Sequence, residues 1–250
     1  MALHLTGCLT LLGMLAQVAG AQAGNLPDVN SIVDRMLAVL QENKTHLRTF
    51  TVKRQYQLLD KQSQPKAEIV ASITYHPPGQ NQYRIERSSG GLGEKVLHDI
   101  LVKETETAKD SQHRELSRDN YDFQFVREEA LDGVRCYVLA MNPRRDEKDL
   151  VRGQVWVDAQ SYKVRRVEGK PVKSPSWWLR DTSILMTFAD VNGMWLRTAT
   201  YAVTTLRFKG RYIMVSRDIE YHAPKSPRAA KSEASLTGTA TVAAKKTAQR

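Results

Sequence analysis

The chain has 250 residues, 41% of them hydrophobic and 26% charged, a balance that excludes a wholly disordered chain and a protein built of many membrane spans. At about 100–200 residues per domain it holds one large domain or two small ones, and a single domain with targeting and tail segments is the simpler fit. The formal charge of +10 would suit a nucleic-acid partner, but half of the excess lies in residues 224–250, which carry six basic residues against one acidic one.

At the amino terminus, no Asp, Glu, Lys or Arg occurs before Asp28, and an apolar run over residues 9–18 is followed by Ala21-Gln22-Ala23. The run is short and interrupted by Gly13 and Gln17, unlike a spanning helix, and the small-x-small triplet suits cleavage after Ala23. Residues 1–23 therefore read as a signal peptide and the mature chain as exported to the periplasm. Leu5-Thr6-Gly7-Cys8 matches a lipobox in letters, but it precedes the apolar region that a lipobox must follow. With Cys8 removed, Cys136 is the one cysteine left, and its strand-like surroundings favour a buried structural thiol.

In the mature chain, Val29, Ile32, Val33, Met36, Leu37 and Leu40 recur at helical spacing behind Asp28 or Asn30 as cap. The single apolar stripe of this helix has to bury itself, most economically on a sheet. From Arg48 the period becomes two, with Phe50, Val52, Tyr56 and Leu58 on one side. Similar runs cover residues 68–75 and 82–87, separated by His76-Pro77-Pro78-Gly79. Residues 94–109 carry Val96, Leu97, Ile100 and Leu101 on one side of a second, short helix.

The second half reads as a meander of hairpins. Residues 121–127 and 134–141 flank Asp132-Gly133, residues 153–157 and 163–168 flank residues 158–161, residues 183–189 and 194–200 flank Asn192-Gly193, and residues 202–208 and 212–221 flank Lys209-Gly210. Consecutive hairpins make one broad antiparallel sheet. The fold class is α+β, and residues 24–223 form the domain. Residues 224–250, largely Ala, Ser, Thr and Lys without an aromatic residue, cannot offset their ordering entropy by burial. They read as a disordered tail suited to an anionic membrane surface.

A search for reactive constellations returns little. The six histidines form no i, i+4 helical pair and no His-Glu-x-x-His motif, and there is no pair of cysteines spaced for zinc. Ser89-Gly90-Gly91-Leu92-Gly93-Glu94-Lys95 lacks the Gly-Lys-Ser/Thr ending of a phosphate loop, and no Gly-x-Ser-x-Gly elbow occurs. The expectation is a protein without metal, cofactor or catalytic residues. Nucleic-acid binding through Arg144, Arg145, Arg165, Arg166, Arg207 and Arg211 conflicts with export. The aromatic residues concentrate in the second half, and two helices cannot cover a sheet of eight or more strands, so part of an apolar face is left to line a cavity. Trp156, Phe188, Trp195 and Tyr201 are the candidate lining residues. Trp177 and Trp178, between Pro175 and the next strand, are placed as a loop that gates it.

The residues 34–40 followed by Leu47-Arg48-Thr49-Phe50-Thr51-Val52, the segment Ile73-Thr74-Tyr75-His76-Pro77-Pro78 with Tyr83-Arg84-Ile85, and Gly153-Gln154-Val155-Trp156-Val157-Asp158 with Val164-Arg165-Arg166-Val167-Glu168 resemble the periplasmic lipoprotein-carrier superfamily of LolA, LolB and RseB type. The resemblance implies a strongly curved, incomplete antiparallel barrel closed by helices over a cavity for acyl chains, and it sets His76 at the position of a lid latch. It further implies a non-enzymatic, monomeric carrier of a lipid or acylated lipoprotein, or an RseB-like sensor acting through an envelope membrane-protein partner.

Overall fold

The computed structural model describes residues 28–77, 81–106, 112–147, 150–174, 179–207 and 210–222. The expected signal peptide, the Trp177-Trp178 gate and the basic tail lie outside the described residues. Helix α1 spans Val29–His46, and strands β1 (Phe50–Leu59), β2 (Pro65–Tyr75) and β3 (Gln82–Ser88) follow. Helix α2 (Leu92–Glu106) leads through a short 3-10 turn at Gln112–Arg114 to β4 (Tyr121–Leu131), β5 (Val134–Pro143), β6 (Val151–Asp158), β7 (Val164–Pro171), β8 (Leu179–Val191), β9 (Met194–Leu206) and β10 (Gly210–His222).

The ten strands form one antiparallel sheet in the order β3-β2-β1-β10-β9-β8-β7-β6-β5-β4. Strands β3 and β4 are its two ends and do not pair with each other, so the sheet is open. Two of the expected tight turns have the backbone that a type I′ hairpin demands: φ is positive at Asp132 and Gly133 and at Asn192 and Gly193. The expected division of residues 194–208 at Tyr201 is not found. Strand β9 runs unbroken from Met194 to Leu206, because no Gly, Pro or Asn interrupts its β-branched and aromatic residues there.

Following register from strand to strand shows which residues share a face. Ile69 opposes Tyr56, which opposes Ser216, then Thr200, Met186, Val167, Val155, Leu139 and Phe125 in turn. Both helices lie on this face. Ile32, Val33 and Met36 of α1 pack with Leu139, Val155, Val157, Val164 and Val167 of the β4–β7 half. Leu97 and Leu101 of α2 pack with Val52, Tyr56, Ile69 and Ile73 of the β1–β2 half. On this face the core of the described residues is thus two clusters, each made by one helical stripe closing on its own part of a common sheet. Helix α1 starts where Asp28 accepts hydrogen bonds from the backbone N–H groups of Asn30 and Ser31, both at 3.2 Å, which satisfies two of its unpaired N-terminal donors.

Candidate functional site: the seam between two helices

Between the two clusters, the helix-bearing face of β8, β9 and β10 carries half-buried apolar side chains beside the buried Thr200 and Ser216. Ile184 opposes Ala202, which opposes Met214. All three are half-buried, whereas Leu58, next to Met214 in β1, is buried under α2. On the other side Ile184 opposes Gly169, which opposes Gly153. Two neighbouring positions therefore contribute no side chain to this face. A Cβ at Gly153 would stand 2.0 Å from the Glu168 carbonyl oxygen, so strands β6 and β7 come together in a way only glycine permits.

Two buried hydroxyl residues stand side by side in this seam, Ser216 of β10 and Thr200 of β9. Thr200 is 9% exposed, and its hydroxyl is buried with no hydrogen-bond partner. An unmet buried hydroxyl costs about 1–3 kcal/mol, and in an apolar trough it is a ready contact for a ligand's carbonyl or carboxyl oxygen.

The α2 side of the seam is closed by an ionic cluster that the sequence reading did not isolate. Arg54 of β1, 4% exposed, pairs with Asp218 of β10 and with Glu104 of α2, and donates to the Tyr75 hydroxyl at 3.3 Å. Glu104 also pairs with Arg197 of β9 and accepts from the Tyr56 hydroxyl at 2.7 Å. Tyr221 donates to Asp218. Burial disfavours the charged Glu104 carboxylate, but the guanidiniums of Arg197 and Arg54 outweigh it and hold the group below its ordinary range. Burial pushes the Tyr75 phenol up to about 12, and burial together with Glu104 raises that of Tyr56 further. Both phenols remain neutral, that of Tyr56 donating to Glu104 and so fixing α2 to the sheet, that of Tyr75 accepting from Arg54. The signal was in the sequence: Arg54 falls between Val52 and Tyr56 on the apolar face of an alternating strand.

The four expected lining residues do not converge on one cavity. Phe188 is half-buried on the helix-bearing face, against the α1 cluster. Trp195, at the end of the β8–β9 hairpin, is clamped to α1: its N–H donates to Asn43 Oδ1 and its carbonyl accepts from Asn43 Nδ2, both at 2.9 Å. Its indole N–H donates to the Val164 carbonyl at 2.6 Å, and Lys163 lies 4.8 Å above the ring. A recess of about 310 Å³ separates it from Leu40 and His46. Trp156 and Tyr201 are on the other face of the sheet. Trp156 opposes Val138 and packs with it and Cys136, while Tyr201, opposite Leu185 and Val215, is 38% exposed. His76, beyond the end of β2, sits 3.5 Å from the Thr49 hydroxyl through Nδ1. Cys136 is fully buried, and burial raises its thiol pKa, in keeping with a structural thiol.

No family model matches the chain, and no curated protein matches it in sequence. Solved structures do. The chain is similar to a LolA superfamily protein from Nitrosomonas europaea, at 12% identity over 80% of this chain and 94% of that one, with a TM-score of 0.43. It is similar to a DUF1329 family protein from Desulfovibrio piger, at 14% identity over 78% and 92% of the two chains, with a TM-score of 0.41. It is also similar to a chain of the Pseudomonas aeruginosa MucA/MucB complex, at 10% identity over 78% and 99%, with a TM-score of 0.26.

Proposed function

We propose that the protein is an exported, non-enzymatic binder of an apolar chain, a lipid or the acyl group of a lipoprotein, held in the seam between α1 and α2. Residues 1–23 serve as a cleaved leader, residues 24–223 as the binding domain and residues 224–250 as a basic tail that meets anionic membrane surfaces. The observation that carries the reading is the half-buried strip Ile184–Ala202–Met214 beside the paired glycines, uncovered between two helices that bury the sheet on either side. Each methylene that leaves water contributes about 0.8 kcal/mol, so a dry trough of this kind withdraws an acyl chain without covalent chemistry. A strong curvature of the sheet, as the sequence resemblance implies, would deepen it. In this reading Phe188 lines the α1 side, the Thr200 hydroxyl meets a polar atom of the ligand, and the Arg54–Glu104 pair ties α2 down.

The test is native mass spectrometry with organic extraction on protein purified from the periplasm without detergent. The expected result is a stoichiometric amphiphile, lost in Ala202→Phe, where the added ring fills the strip, and reduced in Thr200→Val. A folded protein that stays empty after incubation with phospholipid vesicles would sink the reading.

A further inference from the structure

On the face away from the helices, a groove of about 870 Å³ crosses β4 to β7. Its floor includes Trp156, only 4% exposed, whose indole N–H donates to Glu129 at 2.5 Å and whose ring is flanked by the guanidiniums of Arg166 at 4.8 Å and Arg127 at 5.9 Å. Arg127 pairs with Glu129 and Arg166 with Glu168, each at 2.6 Å. The Trp156–Glu129 bond and the bond from Arg127 to Gln154 at 3.2 Å tie β4 to β6 across the groove. At its other end Arg152 of β6 stands directly opposite Lys170 of β7, both exposed, and among the described residues neither has a carboxylate partner. Like charges directly opposed across strands destabilise a sheet. Elsewhere on this side of the sheet opposite charges meet, as where Lys53 lies between Glu86 and Glu220.

We propose that this groove binds an extended acidic segment of a partner polypeptide, with two of its carboxylates seated on Arg152 and Lys170. Three features select that occupant. The recess is concave, with Trp156 on its floor, and so is shaped for a chain laid along it rather than for a flat membrane surface. From the Trp156–Arg166 pair to the Arg152–Lys170 pair is four residues along β6 and β7, about 13 Å of strand, the span of a short extended peptide. Glu129 and Glu168 stand inside the same groove and repel a ligand of dense negative charge such as a polyphosphate. They suit a chain in which carboxylates alternate with N–H donors.

The groove and the seam lie on opposite faces, so the two are tested separately. Fluorescence anisotropy of the full mature chain with a fluorescein-labelled peptide of alternating Glu and Thr should show binding that weakens with salt. Binding should be absent for the same peptide with Gln in place of Glu. The double variant Arg152→Glu/Lys170→Glu should lose affinity by about tenfold or more and gain affinity for a peptide of alternating Lys and Thr. Because both side chains are exposed, its melting temperature and its amphiphile content should match the native chain. Unchanged affinity in the double variant, equal binding of the Glu and Gln peptides, or a native protein that ignores the Glu peptide would each overturn the proposal. So would loss of inositol hexakisphosphate or phosphatidylglycerol-vesicle binding in the double variant while the peptide affinity stays intact, which would assign the pair to a phosphate-bearing ligand.

Discussion

The Glu104 carboxylate is in contact with two guanidiniums and a phenol, so taking away its charge leaves the buried Arg54 balanced by Asp218 alone and removes the carboxylate from Arg197. Glu104→Gln should cost about 3–5 kcal/mol, the usual penalty for breaking one side of a buried pair, read as a fall in the urea midpoint. The pH dependence has a definite sign. Because the folded-state pKa of Glu104 is depressed, its contribution is complete above the ordinary carboxylate range of about 4 and is lost as pH falls through the lower folded value. The native protein should lose melting temperature steeply in acid, and Glu104→Gln should show a shallower decline over the same window. Equal slopes would mean that folding does not lower the pKa of this carboxylate. At the opposite face, Cys136 is fully buried with its thiol pKa raised. It should react with Ellman's reagent only after denaturation, and rapid labelling of the native protein would contradict its placement beneath Trp156.

Helix α1 depends on a local signal, and its cap is a clean test: Asp28→Ala should cost about 1 kcal/mol, seen as reduced thermal stability with unchanged strand content. A larger lesion is expected between β6 and β7. Gly153→Ala drives a methyl group against the Glu168 carbonyl and Gly169, so the two strands must separate, and the sheet should lose well over 1 kcal/mol or fail to fold. These two elements also mark how far the sequence could be read. The stripe and cap of α1 and the Asp-Gly and Asn-Gly turns are encoded within a few neighbouring residues, and they were legible. Face parity across ten strands was not, because it depends on register shifts such as those between Trp156 and Val157 and between Thr187 and Phe188. The second shift changes which β9 residues look toward the helices, and this is why Trp195 and Tyr201, six residues apart, fall on opposite faces, whereas Trp156 parts from Phe188 by pairing through Arg166 with its neighbour Thr187. The Arg54–Glu104 pairing joins residues 50 positions apart, and no local pattern announces it beyond one charge on an apolar face.

For the molecule as a whole, the proposed division of labour assigns apolar cargo to one face, a peptide to the other and the membrane to the tail. Removing residues 224–250 should leave the melting temperature unchanged and reduce binding to anionic vesicles, at about 1 kcal/mol for each basic residue near the surface; vesicle binding that survives the deletion would remove the tail's role. The sheet order carries a different kind of consequence. Strand β1 pairs with β2 on one side and with β10 on the other, and Arg54 meets its partner Asp218 164 residues later. The meander β1–β2–β3 and the hairpins from β4 to β9 can each zip up as they are made, but nothing joins the two groups until the last strand has been synthesised. Nucleation of the β1–β10 pair closes the longest loop in the chain and should set the folding rate, leaving the flank of β1 open to stray strand pairing for as long as synthesis lasts.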